Sequence, residues 1–168
     1  METDEIQRYV NVTNTIVCAQ DELPLHKIDG GVYISNTDEL RKRGAHWVLL
    51  AVLPGREVIY FDSLKIPPFV EYFYKFLRVN VEGGGTLELN KYVIQSPASN
   101  ACGRICIMLA WHLFEGGEFS DFCKLYNDTP HANDKTVEGQ WALFLKGIKT
   151  RARTRKSVNH GSLPKAVL

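Results

Sequence analysis

The sequence predicts a single α+β domain, on three observations. Trp47 to Leu53 is continuously apolar yet too short for an ordinary helix, and after Pro54-Gly55 a second short run, Glu57 to Phe61, carries Val58, Ile59 and Tyr60. Two such runs around a turn read as a β-hairpin in a buried sheet. Ala101 to Phe114 is apolar nearly all round, with Ile105, Ile107, Met108, Leu109, Trp111 and Leu113, the pattern of a buried central helix. With 168 residues, 45% hydrophobic and 23% charged, the chain has the length and balance of one domain with a real core.

The remaining elements follow in chain order. Asp4 to Val17 has room for a short helix, weakened by Asn11, Thr13, Asn14 and Thr15, which compete for backbone hydrogen bonds. Gly30-Gly31 marks a turn, Val32-Tyr33-Ile34 a short strand, and Asp38 to Arg43 one helical turn after the cap formers Ser35 to Asp38. Pro67-Pro68 stops the hairpin, and Phe69 to Val79 places Phe69, Val70, Tyr72, Phe73, Phe76 and Leu77 at helical spacing. Pro68 suits a helix start, where an N–H has no partner to lose. Gly83-Gly84-Gly85 is a flexible connector, and Thr86 to Ile94 alternates like a strand. Ser99-Asn100 offers N-caps to the central helix, which Gly116-Gly117 closes. Phe119 to Tyr126 reads as a short helix, and Asp134 to Ile148 as a last one with Val137, Trp141, Phe144 and Leu145 on its apolar face. The expected domain is 1–148, followed by a basic and mobile tail over 149–168.

Composition narrows the function classes. No apolar run approaches the ~18–20 residues that span a bilayer, and the acidic start Met1-Glu2-Thr3-Asp4-Glu5 lacks the basic and apolar regions of a secretory signal. The expectation is a protein that is neither membrane-bound nor secreted. Cys18, Cys102, Cys106 and Cys123 include no CxxC pair, so neither a disulfide framework nor a closed zinc site is expected, and reduced thiols are. Seven of the 20 basic residues and none of the 19 acidic ones lie from Lys146 onward, leaving 13 basic against 19 acidic residues, a net −6, in the first 145. A basic tail on an acidic body suits a DNA partner or a solvated or nuclear-targeting segment.

Chemistry-bearing residues stand at element ends. Cys102 falls where the polar loop Gln95-Ser96-Pro97-Ala98-Ser99-Asn100 gives way to the central helix, so the positive end of the helix dipole favours its thiolate. His46 opens the first hairpin strand and Asp62 follows the second, which puts both at one end of the hairpin. That arrangement provides a nucleophile in Cys102, a general base and acid in His46, and an orienting carboxylate in Asp62. Gln95, read as the end of a strand, offers an amide to the oxygen that becomes negative during attack. Cys106, one turn inside the helix, reads as core, as do Cys18 and Cys123. His26, His112, His131 and His160 read as structural or solvated, and Ile28-Asp29-Gly30-Gly31 as a turn.

Gly44-Ala45-His46-Trp47, Tyr60-Phe61-Asp62-Ser63, Gln95 and Cys102-Gly103 together resemble the adenovirus-type maturation proteases (adenain). They resemble more closely the adenain-like proteases of Polinton/Maverick elements, virophages and adintoviruses, with which the chain shares Ile34 to Asp38, Pro67-Pro68 and Asn133-Asp134. The likeness covers roughly residues 30–145. It implies a mixed β-sheet packed on a central helix that carries the nucleophilic cysteine at its N-terminus. It also implies a cysteine endopeptidase that cuts capsid and core precursors during virion maturation, with catalytic residues His46, Asp62, Gln95 and Cys102. The expected locations are the virion and the host nucleus or a cytoplasmic virus factory, the expected state is a monomer, and no cofactor is needed for the chemistry. Activation by DNA or a viral peptide belongs to the adenovirus enzymes, although no cysteine here matches the peptide's partner. Asp62 stands where those enzymes more often carry Glu, a lean toward the Polinton and SUMO-protease side. Two alternatives are a protease that removes a ubiquitin-like modifier, since SUMO proteases share the residue order, and a non-catalytic DNA-binding virion component.

Overall fold

The computed structural model describes residues 1–42 and 44–159, with side chains described through residue 150. Helix α1 (Thr3–Val10) leads into strand β1 (Ile16–Ala19) and a 3-10 turn over Gln20–Glu22. Strands β2 (Gly31–Asn36), β3 (Trp47–Leu53) and β4 (Glu57–Phe61) follow, then α2 (Glu71–Val81), β5 (Thr86–Leu89), α3 (Cys102–Phe114), α4 (Phe119–Cys123) and α5 (Pro130–Asn159). The five strands form one sheet in the order β1-β2-β3-β4-β5. The outer pairs are parallel, and the two pairs that flank β3 are antiparallel. The fold is thus α+β with a mixed sheet.

Successive side chains of a strand point to opposite faces, and both faces of this sheet are covered. Leu49, Ala51, Ile59 and Phe61 join Ile105, Ile107 and Leu109 of α3 in one core, with Ile6 and Val10 of α1 and Trp141 of α5. Val48, Leu50, Val58 and Tyr60 meet Phe73, Phe76 and Leu77 of α2 in the other. Burial on both sides is why β3 is continuously apolar. Helix α3 is apolar all round because it is wedged between the sheet and α1, α4 and α5.

The hairpin has the bounds its pattern predicts, paired from Leu49↔Phe61 to Leu53↔Glu57. Other elements differ. Strand β1 escapes the pattern because its four residues run from exposed Ile16 to buried Ala19 and its partner β2 is distant in sequence. The expected helical turn after Asp38 is a plain turn closed by Lys42 N–H on the Glu39 carbonyl. The strand expected over Thr86 to Ile94 stops at Leu89, because the Asn90 side chain binds backbone elsewhere instead of continuing the ladder. Gln95 therefore lies in a loop and not at a strand end. Helix α5 begins four residues early, at Pro130, where a proline costs no hydrogen bond. It also runs eleven residues past Ile148 to Asn159, through Lys, Arg and Ala, which are good helix formers. Residues 160–168 of the expected tail, with His160 and Lys165, lie outside the described residues, as does Arg43.

Candidate active site

Three of the residues singled out by sequence meet at one end of the hairpin. His46, in the last step before β3, and Asp62, in the first step after β4, are brought side by side by the antiparallel pairing. His46 Nε2 and Asp62 Oδ1 lie 2.9 Å apart. That contact leaves Nδ1 free to face the Cys102 thiol, which is near enough for the two groups to shift each other's pKa. Asp62 is 1% exposed. Its Oδ1 also accepts the Leu64 N–H at 2.7 Å. Its Oδ2 is buried with no partner among the described residues, so the charge that compensates this carboxylate is the His46 ring.

The electrostatics follow from that geometry. Burial draws the His46 pKa down, but hydrogen bonds and charge from Asp62 and Cys102 outweigh it and raise the value from 6.5 to about 9. Burial pushes the Cys102 thiol up. The hydrogen bond to His46, backbone hydrogen bonds from Trp47 and Gly103, and the charge on His46 overcome it, and the thiol lies below its usual 9.0. Both shifts favour a thiolate–imidazolium pair. Cys102 is the first residue of α3, and Ala101 before it makes no side-chain cap, so the first N–H groups of the helix are left to stabilise charge at the sulfur. The other thiols behave differently. Cys106 is fully buried, its pKa is driven upward by burial, and it donates to the Trp47 carbonyl. Burial raises Cys18 to about 12 and Cys123 to about 11.

Gln95 is 3% exposed. Its Oε1 accepts from Ser63 Oγ at 2.9 Å, and its Nε2 donates to the Ser99 carbonyl at 3.2 Å, within the loop that enters α3. One amide hydrogen remains. The loop is tied down from outside. Ile94 and Gln95 N–H both donate to the Ser63 carbonyl, and Ser96 N–H donates to Asp134 Oδ1. Asn133, 1% exposed, donates from Nδ2 to the carbonyls of Val93 and Asn127.

Asn90 was not read from sequence as part of the site. Its Oδ1 accepts the Asp62 N–H at 3.1 Å, and its Nδ2 donates to the carbonyls of Asp62 and Tyr92. It clamps the backbone of Asp62 from both sides. The only hint in the sequence is an asparagine interrupting a strand pattern, a weak sign shared by many turns.

Cys102 opens into a groove of about 270 Å³ walled by Met1, Asn36, Gly44, Ala45 and Trp47. Trp47 is held there by its indole N–H on the Met1 carbonyl. Among the described residues no group of three or more His, Cys, Asp and Glu side chains is placed to hold a metal ion, and no helix is long and apolar enough to cross a membrane.

Comparison with known proteins gives little. No protein-family model and no curated protein matches the chain. Among solved structures, the chain is similar to ChlaDub1 from Chlamydia trachomatis, with 23% identity over 64% of this chain and a TM-score of 0.41. The chain spans about half of that structure, 48% of its length. An overlap so partial establishes neither family nor activity.

Proposed function

We propose that this protein is a cysteine peptidase. The observation that carries the reading is the hydrogen bond of the His46 imidazole to buried Asp62 beside Cys102, with the His46 and Cys102 pKa values both shifted toward an ion pair. In the proposed reaction the Cys102 thiolate adds to the scissile carbonyl carbon, and the oxygen that becomes negative accepts from the Cys102 N–H and the remaining Gln95 amide hydrogen. His46 then gives its proton to the leaving amine as the C–N bond breaks. Water attacks the resulting thioester, His46 takes its proton, and the acid departs as the thiolate is restored. Asp62 keeps the ring oriented throughout.

The finer reading is an endopeptidase of the adenain type, borne by a virus or transposon, that cuts capsid or core precursors. It is supported by the order His46, Asp62, Gln95, Cys102 and by the motifs around them. DNA bound through the basic residues beyond Ile148, and activation by DNA or a peptide, belong to the same proposal. Removal of a ubiquitin-like modifier is the second reading, and the presence of Asp62 in the orienting position favours it over a plain adenovirus-like enzyme.

The test is alkylation and hydrolysis together. Iodoacetamide is expected to label Cys102 well below pH 9 and ahead of Cys18, Cys106 and Cys123. Cys102→Ala is expected to abolish cleavage of a capsid precursor or a SUMO-like conjugate while leaving the melting temperature in place. Gln95→Ala is expected to slow cleavage by about 10²–10³, the usual effect of losing one oxyanion donor. Full activity in Cys102→Ala would end the peptidase reading.

A further inference from the structure

The groove beside Cys102 holds one polar group that the mechanism does not use. Asn36, the last residue of β2, is 7% exposed and lines the groove. Its Oδ1 accepts the Asp38 N–H at 2.9 Å. An N–H can only donate, so the oxygen is on that side and the amide nitrogen is turned the other way, toward Gly44. Nδ2 has no hydrogen-bond partner among the described residues. The backbone around it is built to leave it open. Gly44 has φ +76°, which favours glycine, and a Cβ there would stand 2.6 Å from Nδ2 and push the Asn36 amide aside. Thr37 N–H donates to the His46 carbonyl, and Gln20 fixes the same segment from the far side through its Nε2 on the Thr37 carbonyl. Asn36 is also the register partner of Trp47, the residue after His46. Among the described residues this donor is therefore left to water or to a ligand, in a groove one strand away from His46.

We propose that Asn36 is a substrate-binding residue, whose side-chain amide donates a hydrogen bond to a backbone carbonyl of an extended peptide lying in the groove beside Cys102. The inference rests on the peptidase reading. A peptide carbonyl fits this donor because it is an acceptor that every residue carries, so binding is independent of the side chain. A groove of about 270 Å³ is just below the usual range for small-ligand pockets, and has room for a short stretch of chain. The carbonyl is held while the scissile bond is aligned with the sulfur, which is how positioning groups lower a barrier.

The test compares two electrophiles on the full chain. A mixed-sequence peptide vinyl sulfone needs the groove, and iodoacetamide does not. In the first, the Cys102 thiolate adds to the vinyl carbon β to the sulfone, and the α-carbon takes the proton from His46. Asn36→Asp keeps the acceptor for Asp38 and removes the donor, and Asn36→Ala removes both without adding charge. Both variants are expected to lose about tenfold or more in the rate of vinyl sulfone labelling, through weaker binding, while iodoacetamide labels Cys102 at the wild-type rate and with the same pH midpoint. Unchanged vinyl sulfone labelling in both variants would overturn the proposal. So would an equal loss with iodoacetamide in both, which would place Asn36 in the support of the catalytic pair. Failure of the peptidase reading appears elsewhere, in wild-type protein whose Cys102 is labelled by vinyl sulfone no faster than an ordinary thiol.

Discussion

Asp62 carries two loads on one oxygen, the His46 ring and the Leu64 N–H, while its other oxygen is buried without a partner among the described residues. The pairing with His46 is therefore worth more than that of an exposed ion pair, whose contribution is usually ~0–1 kcal/mol. The sign of its pH dependence is fixed by the shift. His46 has a folded pKa of about 9 against 6.5 ordinarily, so its contribution to stability is complete below pH 6.5 and is lost as pH rises through about 9. Asp62→Asn is accordingly expected to lower the melting temperature most near pH 6, with the gap to wild type narrowing by pH 9.5. A gap that widens with pH would mean that the pair is not charged in the folded protein. At the same scale His46, Asp62 and Cys102 were legible because each sits at an element boundary with a distinctive residue type. Asn36 and Asn90 were not, because asparagine is common in turns, and only their contacts reveal what each does.

The elements act as carriers. The antiparallel pairing of β3 with β4 sets the distance between His46 and Asp62, so a slip of one residue would send one of them to the other face. Phe61, next to Asp62, is locked edge-on between Phe119 and Phe122 of α4. The loop from Asn90 to Ala101 has no ladder of its own and is held by side chains, with Asn90 on one end and Asn133 and Asp134 of α5 on the other. Asn90→Ala breaks three hydrogen bonds, two of them buried, at about 1 kcal/mol each and is expected to cost ~2–3 kcal/mol in urea denaturation. The cleavage rate is also expected to fall, as Asp62 loses its clamp. Stability within 0.5 kcal/mol of wild type would show that the backbone holds Asp62 without it. The hairpin was readable because its strands and turn are local in sequence. Its first residues, Asn90 to Ile94, read as strand because the groups that hold them lie about 30–40 residues away.

Across the molecule, one core lies on each face of the sheet, and helix α3 sits inside the larger, between β3 and the terminal helices. Tyr9 and Trp141 meet edge-on and Trp141 stacks on Phe144, joining α1 to α5. The segment beyond Ile148 carries six of the chain's basic residues and no acidic one. Deleting residues 149–168 is expected to leave melting temperature and Cys102 labelling unchanged while removing most binding to duplex DNA and its steep salt dependence. Equal DNA affinity in the truncated protein would detach that segment from the nucleic-acid reading. The sequence by itself determined the hairpin, the central helix and the placement of Cys102 at its start, because burial and turn chemistry are written in nearest neighbours. The register that joins His46 to Asp62, the clamp of Asn90 and the open amide of Asn36 were decided by tertiary structure. Each depends on a contact between residues distant in the chain, and local pattern carries no trace of who the partner is.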